Sequence, residues 1–230
     1  MNSQARALSM PSWLARWLLY FEWQIDQELK GFAQSLPPKA LVLDAGAGEC
    51  QHRRYFPGQR YFAVDLAVGD AAWDYHQLNA IADLAALPLA TNCFDAAIHI
   101  VTLEHVPEPK QVLCEIARCL RPGAPLLAVV PHEWEVHQHP NDYYRYTCFG
   151  MRYLLQQAGF TDIQIKPSGG LFRLLSRRTL NSLQFFPWPF KAVAFLFAAP
   201  AALLLPLFDS LDKNKDFTAG YLCTARKAGV

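Results

Sequence analysis

Net charge is nearly absent from this 230-residue chain, in which 21 basic residues face 20 acidic ones for a balance of +1. No basic run exceeds the pairs Arg53, Arg54 and Arg177, Arg178. A chain so balanced carries no field to gather a polyanion, which disfavours nucleic acid as substrate or partner. The six cysteines, Cys50, Cys93, Cys114, Cys119, Cys148 and Cys223, contain no CxxC pair and are too scattered for the framework of a small secreted domain. They read as reduced thiols of a cytoplasmic protein. No secretory signal is expected: the apolar stretch 13–20 is interrupted by Arg16 and runs into Glu22, Asp26, Glu28 and Lys30. Neither internal repeats nor low-complexity tracts are found. Charged residues make up only 18% against 52% hydrophobic, so the length suits one well-filled α/β domain with additions and some apolar surface left over.

What is present is an alternation. An amphipathic helix is expected over about 13–34, ended by Pro37 and Pro38. Short apolar runs follow at 40–43, 61–64, 94–101 and 125–130, with helical periodicity at 109–120 between two of them. Arg121-Pro122-Gly123 stops that helix just before the next strand. A helix over 147–158 with Gly159 as its cap, a strand at 161–166 and a last strand within 218–226 complete the pattern. Strand and helix in turn imply a mostly parallel sheet covered by helices on both faces. Residues 171–217 break the pattern, being aromatic, apolar and punctuated by proline. The expected organisation is therefore an N-terminal helical extension (1–36), an α/β core (37–170), an apolar helical insertion or cap (171–217) and the returning last strand (218–230).

LVLDAGAGEC places Gly46 and Gly48 directly after a buried strand, where a tight turn brings backbone close to a ligand. A dinucleotide fingerprint needs a third glycine where Gln51 stands, and the acidic Asp44 precedes the turn. Both features oppose a nicotinamide-dependent oxidoreductase. S-adenosylmethionine (SAM) has no pyrophosphate but carries an ammonium group, which a carboxylate suits. Asp65, 21 residues after Asp44 and at the next strand end, is placed for two ribose hydroxyls. Asp83, in ADLAALPL, is placed for the adenine amino group, with Leu84 behind the ring. Any one of these acids could be an ordinary strand-end residue; their order along the chain makes the nucleoside reading.

LDAGAGEC, YFAVDL, ADLAALPL, FDAAIHIVTLEHV and CLRPGAPLLAVV, in this order, resemble the successive motifs of the class I SAM-dependent methyltransferases, most closely the group called type 11. The resemblance covers about 40–165 and the last strand. It implies a Rossmann-like seven-stranded sheet with SAM across the carboxyl ends of its strands. It assigns the cofactor to Asp44, Ala45, Gly46, Gly48, Asp65, Leu66, Asp83, Leu84 and Ile100. Cys50 replaces a glycine common in the first motif, which should make the turn slightly less permissive.

Methyl transfer needs alignment, exclusion of water and removal of an acceptor proton, but no covalent intermediate. Candidates for the base are Glu104 and His105 in VTLEHV and, foremost, His132 just past the run 125–130. His137, Tyr143, Tyr144 and Arg145 in PHEWEVHQHPNDYYRYT are candidates for the acceptor pocket. The bland alternatives are histidines that pack the loop and an LEHV segment that supports the site. No metal is expected: a zinc set of His132, His137 and His139 has no nearby cysteine and fits no zinc pattern. Some quinone O-methyltransferases bind a divalent metal here through two glutamates and the histidine, but the first glutamate falls on Val101.

Residues 192–208 are free of charge, and as a helix of 17 residues would reach about 26 Å, short of a bilayer core of roughly 30 Å. Pro200 and Pro206 weaken that span further. The segment 185–208 is instead expected either to dip into a membrane through Phe185, Phe186, Trp188, Phe190, Phe195 and Phe197, or to form a cap or dimer surface. Arg173, Arg177, Arg178 and Lys191 are candidates for the headgroup level. The expected protein is thus a cytoplasmic methyltransferase, peripheral on a membrane if that patch is used. Its acceptor is expected to be small or lipid-linked and methylated at oxygen. The rival reading without catalysis is a SAM-binding or membrane-docking module.

Overall fold

Leu41–Ala45 (β1) and Ala96–Ile100 (β4) bury nearly every side chain. Successive residues of a strand point to opposite faces, so such burial requires a sheet covered on both sides. The computed structural model describes residues 11–70 and 72–229. With Arg60–Asp65 (β2), Ala80–Ile81 (β3), Pro125–Pro131 (β5), Phe160–Pro167 (β6) and Gly220–Lys227 (β7), these strands form a seven-stranded sheet of order β3-β2-β1-β4-β5-β7-β6. The pairs β1–β2, β1–β4, β2–β3 and β4–β5 are parallel. Backbone bonds from Ala228 to Gly159 and from Ser168 to Gly220 join opposite ends of β6 and β7, so these two run antiparallel. The connections reverse direction between β1 and β4, and ligands of open α/β sheets lie at the carboxyl ends of such strands.

The helix Pro109–Cys119 shows why the sequence folds this way. Proline at its first turn is preorganised for helix, and Val112, Leu113, Ile116 and Cys119 have no exposed surface at all. Burying each of the larger aliphatic side chains contributes about 1.5–3 kcal/mol. The same helix fixes a loop: the Arg118 guanidinium donates to Leu87 O and Leu89 O, and Glu115 accepts from the Leu87 N–H. Thr147 caps the helix Cys148–Gln157 by accepting from the Gly150 N–H at 3.1 Å.

The described chain divides into two compact units, and the division falls after Gln27, inside the helix Tyr20–Ser35. One unit contains the sheet, as Glu28–Lys166 with Tyr221 onward. The other joins the described residues up to Gln27 to Pro167–Gly220. The single opening helix expected from periodicity is two, Ser12–Leu18 and Tyr20–Ser35, with Leu19 out of helical geometry at φ −121° and ψ 54°. The Leu19 N–H still bonds Ala15 O and its carbonyl still accepts from Trp23, so the break is a local kink.

Within this second unit, Leu171–Ser182 is followed by Phe190–Leu204 and a 3-10 segment Leu205–Leu211. The helix runs through Pro200 and continues, so the helical segment Phe190–Leu211 has 22 residues, with a stretch of 18 whose mean hydropathy is 2.0, long and apolar enough to cross a membrane by length and composition. It exceeds the length expected from the charge-free run because Lys191 and Asp209 lie inside it. Arg173 and Arg177, expected at a headgroup level, are engaged within this unit. The Arg173 guanidinium sits 3.7 Å from the Tyr20 ring centroid, and Arg177 donates to both Glu22 oxygens at 2.7 Å. Asp209 accepts from the Gly170 and Arg173 N–H groups and from Lys215 Nζ. Glu22 is 4% exposed, so Arg177→Met strands a buried carboxylate, and we expect a loss of about 3–5 kcal/mol in urea unfolding followed by helical ellipticity. A change below 1 kcal/mol would show the pair to be structurally idle.

Candidate active site

The turn after β1 is held from two sides. Gly46 N–H and Ala47 N–H donate to Val64 O, at 2.8 and 3.1 Å, and Gly48 N–H donates to Asp65 Oδ2 at 2.9 Å. The other Asp65 oxygen accepts the Ala67 N–H at 2.8 Å. Gly46 has φ +87°, and a Cβ there would lie 2.3 Å from Thr102 Cγ2. Its close approach is therefore to Thr102, whose hydroxyl is within hydrogen-bond distance of Gly46 O and Ile100 O. Gly48, at φ +49°, faces Trp73 at ordinary contact distance. Cys50 adopts the left-handed conformation at φ 57°, where a glycine would sit without penalty, at a cost of roughly 1–2 kcal/mol.

Asp44 lies beneath this turn with no exposed surface. Its Oδ2 accepts the Tyr61 hydroxyl hydrogen, and His52 Nδ1 is 3.6 Å away, while Oδ1 has no partner among the described residues. Burial, and then the charge of Asp44, push the Tyr61 hydroxyl far above the ordinary phenol range and keep it a donor. Asp44 thus sets a negative charge below the turn rather than on its surface. Ala45 O accepts from buried His99 Nδ1 at 2.6 Å, and burial drives that imidazole toward its neutral form. Asp83 caps the 3-10 turn Leu84–Ala86 through the Ala85 N–H, while the Leu84 side chain enters the core. Leu66 is 46% exposed and Ile100 is buried at the end of β4.

The two loops named from sequence come together at the same end of the sheet. Glu104 and His105 follow β4, and the His105 ring lies 4.7 Å from that of His137, edge to face. The Tyr143 N–H donates to Glu104 O, and the Tyr146 and Tyr144 hydroxyls donate to Leu103 O and Pro107 O. Burial holds the Glu104 carboxyl up at about 8. Arg145 is spent inside its own loop, donating to Asp142 and to the carbonyls of Trp134, Tyr144 and Glu135. Its guanidinium holds the Asp142 carboxyl down at about 2. His132 stands apart: Nδ1 bonds Tyr146 O at 2.9 Å and its ring packs on Tyr221. A carbonyl only accepts, so Nδ1 carries the hydrogen and Nε2 is left with a lone pair. Tyr143 and Tyr144 expose 48% and 40% of their surface.

Sequence reasoning missed Thr102, Tyr61, His52 and Trp73. Thr102 and Tyr61 lie inside the motifs but show their roles only against Gly46 and Asp44; the others carry no local signal.

Comparison with known proteins finds methyltransferases. Residues 43–128 match the family described as Methyltransferase domain. A tRNA (carboxymethyluridine(34)-5-O)-methyltransferase of Arabidopsis thaliana is 28% identical over 116 residues, which are 48% of this chain and only 28% of that relative. Among solved structures, a chain of the complex between the Haloferax volcanii Trm112 methyltransferase activator and a methyltransferase superposes with TM-score 0.61 at 18% identity, covering 98% of this chain and 97% of that one. Burkholderia thailandensis 1,6-didemethyltoxoflavin-N1-methyltransferase, with bound 1,6-didemethyltoxoflavin and S-adenosylhomocysteine, gives 0.53 at 19% identity, covering 99% and 92%. Haemonchus contortus phosphoethanolamine N-methyltransferase 2 in complex with S-adenosyl-L-methionine gives 0.58 at 15%, covering 99% of this chain and 58% of that one. With residues 43–128 matched by sequence to a methyltransferase domain and its fold shared with solved methyltransferase structures at 15–19% identity, the chain is similar to the class I SAM-dependent methyltransferases.

Proposed function

We propose that SAM lies across the carboxyl ends of β1 to β4 and that its methyl group passes in line to an oxygen of a small or lipid-linked acceptor. The observation that carries this reading is the Gly46–Gly48 turn tied to Asp65 at the point where strand order reverses. Each Asp65 oxygen has a second lone pair beyond the backbone N–H it accepts, which leaves capacity for the ribose hydroxyls. Asp83 and Leu84 take the adenine end, and Ala45, Gly46 and Gly48 the methionine end, over the buried charge of Asp44. Leu66 and Ile100 line the same cofactor. In the transfer the acceptor oxygen bonds the methyl carbon, the carbon–sulfur bond breaks toward sulfur, and the acceptor proton goes to His132 Nε2. Tyr143 and Tyr144 offer aromatic surface to the acceptor, and Arg145 keeps their loop in shape. The tRNA named for the Arabidopsis relative is not carried over, since the match spans 28% of that protein and this chain has a net charge of only +1. Calorimetric titration with SAM, S-adenosylhomocysteine and NADH tests the reading: the first two should bind, and binding of NADH alone overturns it.

Residues 185–208 extend the proposal to a membrane surface. Phe185, Trp188, Phe190, Phe195 and Phe197 each expose more than half of their area, and an apolar pocket of about 780 Å³ opens among Phe186, Phe190, Val193 and Phe197. A single complete crossing is disfavoured, because it would put β6 and β7, which belong to one sheet, on opposite sides of a membrane. In sedimentation with anionic vesicles, replacing both Trp188 and Phe197 by serine should weaken binding about tenfold or more, from the burial of two aromatic side chains. Unchanged sedimentation would assign the patch to a cap or dimer instead.

A further inference from the structure

Glu104, His105 and His137 place one ligand atom each within 4.8 Å of one another. Both imidazoles are held in the same tautomer. His105 Nδ1 donates to Asn141 O at 2.6 Å, and His137 Nδ1 lies 3.1 Å from Glu135 O and 3.4 Å from Asp142 Oδ2. Arg145 NH2 is 3.5 Å from that same Nδ1 but is directed to Glu135 O and Asp142, each at 2.7 Å. With hydrogen on both Nδ1 atoms, the Nε2 lone pairs face Glu104 Oε1, at 3.7 Å for His105 and 4.0 Å for His137. Glu104 is wholly buried, and among the described residues neither of its carboxylate oxygens nor His105 Nε2 has a hydrogen-bond partner.

Three electron-pair donors therefore converge on one small space, an arrangement that costs free energy until a cation occupies it. A proton on Glu104 answers this poorly, because 3.7 and 4.0 Å exceed hydrogen-bond reach to either nitrogen. A metal ion answers it better. Bonds of about 2.05 Å in a tetrahedral site put neighbouring ligand atoms about 3.3 Å apart, so the 3.7 and 4.0 Å separations from Glu104 Oε1 would each have to close by less than about 1 Å. A carbonyl on the rear nitrogen of each histidine is also the usual support of a metal-bound imidazole.

We propose that Glu104, His105 and His137 bind one divalent transition-metal ion of the zinc or iron(II) class through the Glu104 carboxylate and the two Nε2 atoms. Two imidazoles with one carboxylate suit these ions rather than magnesium or calcium, which take oxygen-only sets. Three protein ligands leave at least one coordination position open. Of the zinc set weighed from sequence only His137 takes part, since His132 is held by Tyr146 and Tyr221.

The test uses full-length, tag-free protein stripped with a chelator and titrated with Co²⁺, read by visible ligand-field absorption, with Zn²⁺ as competitor. Saturation at one equivalent and displacement by Zn²⁺ are expected, with His137→Ala and Glu104→Gln each weakening Co²⁺ binding about tenfold or more. His139→Ala, outside the cluster, should leave the titration unchanged. Glu104 is buried and its variant can fail to fold, so partly exposed His137 carries the decision. No stoichiometric uptake, or equal uptake by folded His137→Ala, overturns the proposal. SAM titration of the same metal-free protein keeps this outcome separate from the methyltransferase reading.

Discussion

Asp65→Ala is expected to lower SAM affinity on the order of 100-fold or more in calorimetric titration. Two effects add. The variant removes the acceptor proposed for the ribose hydroxyls, and it releases the Gly48 and Ala67 N–H groups that the carboxylate holds at 2.9 and 2.8 Å. Hydrogen bonds to a charged group contribute about 1.5–3 kcal/mol each, so loss of two is worth about 3 kcal/mol at the low end, and 1.4 kcal/mol is tenfold in affinity. Asp65→Asn keeps one acceptor oxygen and should fall between the two. The residue ends β2 rather than sitting in the core, so thermal unfolding of the variants should change far less than binding. Wild-type affinity in a folded Asp65→Ala protein would remove Asp65 from the cofactor site.

Gly46→Ala should cost more in stability than any other single methyl group added to the turn. The new Cβ would lie 2.3, 2.6 and 2.8 Å from Thr102 Cγ2, Oγ1 and Cβ, at a backbone φ of +87° that L side chains rarely adopt. Rotating Thr102 moves the first two atoms but not its Cβ. Left-handed backbone costs roughly 1–2 kcal/mol and overpacking about 1–3, so about 2–5 kcal/mol is expected in urea unfolding, with loss of SAM binding. Gly48→Ala meets only Trp73 at 3.4 Å, and should cost about 1 kcal/mol by the same backbone penalty alone. The pairing is testable by a double-mutant cycle, in which Thr102→Ala should recover part of the Gly46→Ala loss. Additive losses would mean that Thr102 is not what Gly46 makes room for.

The central strands were legible because a parallel sheet buried on both faces demands apolar runs, and LVL of β1 and AAI of β4 supply them, whereas the two-residue β3 is too short to show such a run. The position of Asp65 was legible for a related reason: a polar residue closing an apolar run marks where a strand leaves the core. The length of the Phe190–Leu211 helix was not, since Pro200 reads as a breaker and the helix passes through it. Arg173 and Arg177 look like free surface charges in sequence, yet each finds its partner more than 30 residues away or across the chain, in Asp209 and Glu22.

By itself the sequence determined the alternation of strand and helix, the apolar insertion and the glycine turn with its acids, because each is a local pattern of hydrophobicity or backbone freedom read within a few residues. Only the tertiary structure decided that Tyr61 closes over Asp44, that Thr102 fills the space left by Gly46, and that His137 meets Glu104 and His105. Those contacts join residues distant along the chain. They depend on which strands neighbour one another and in what register, and no short-range pattern encodes that.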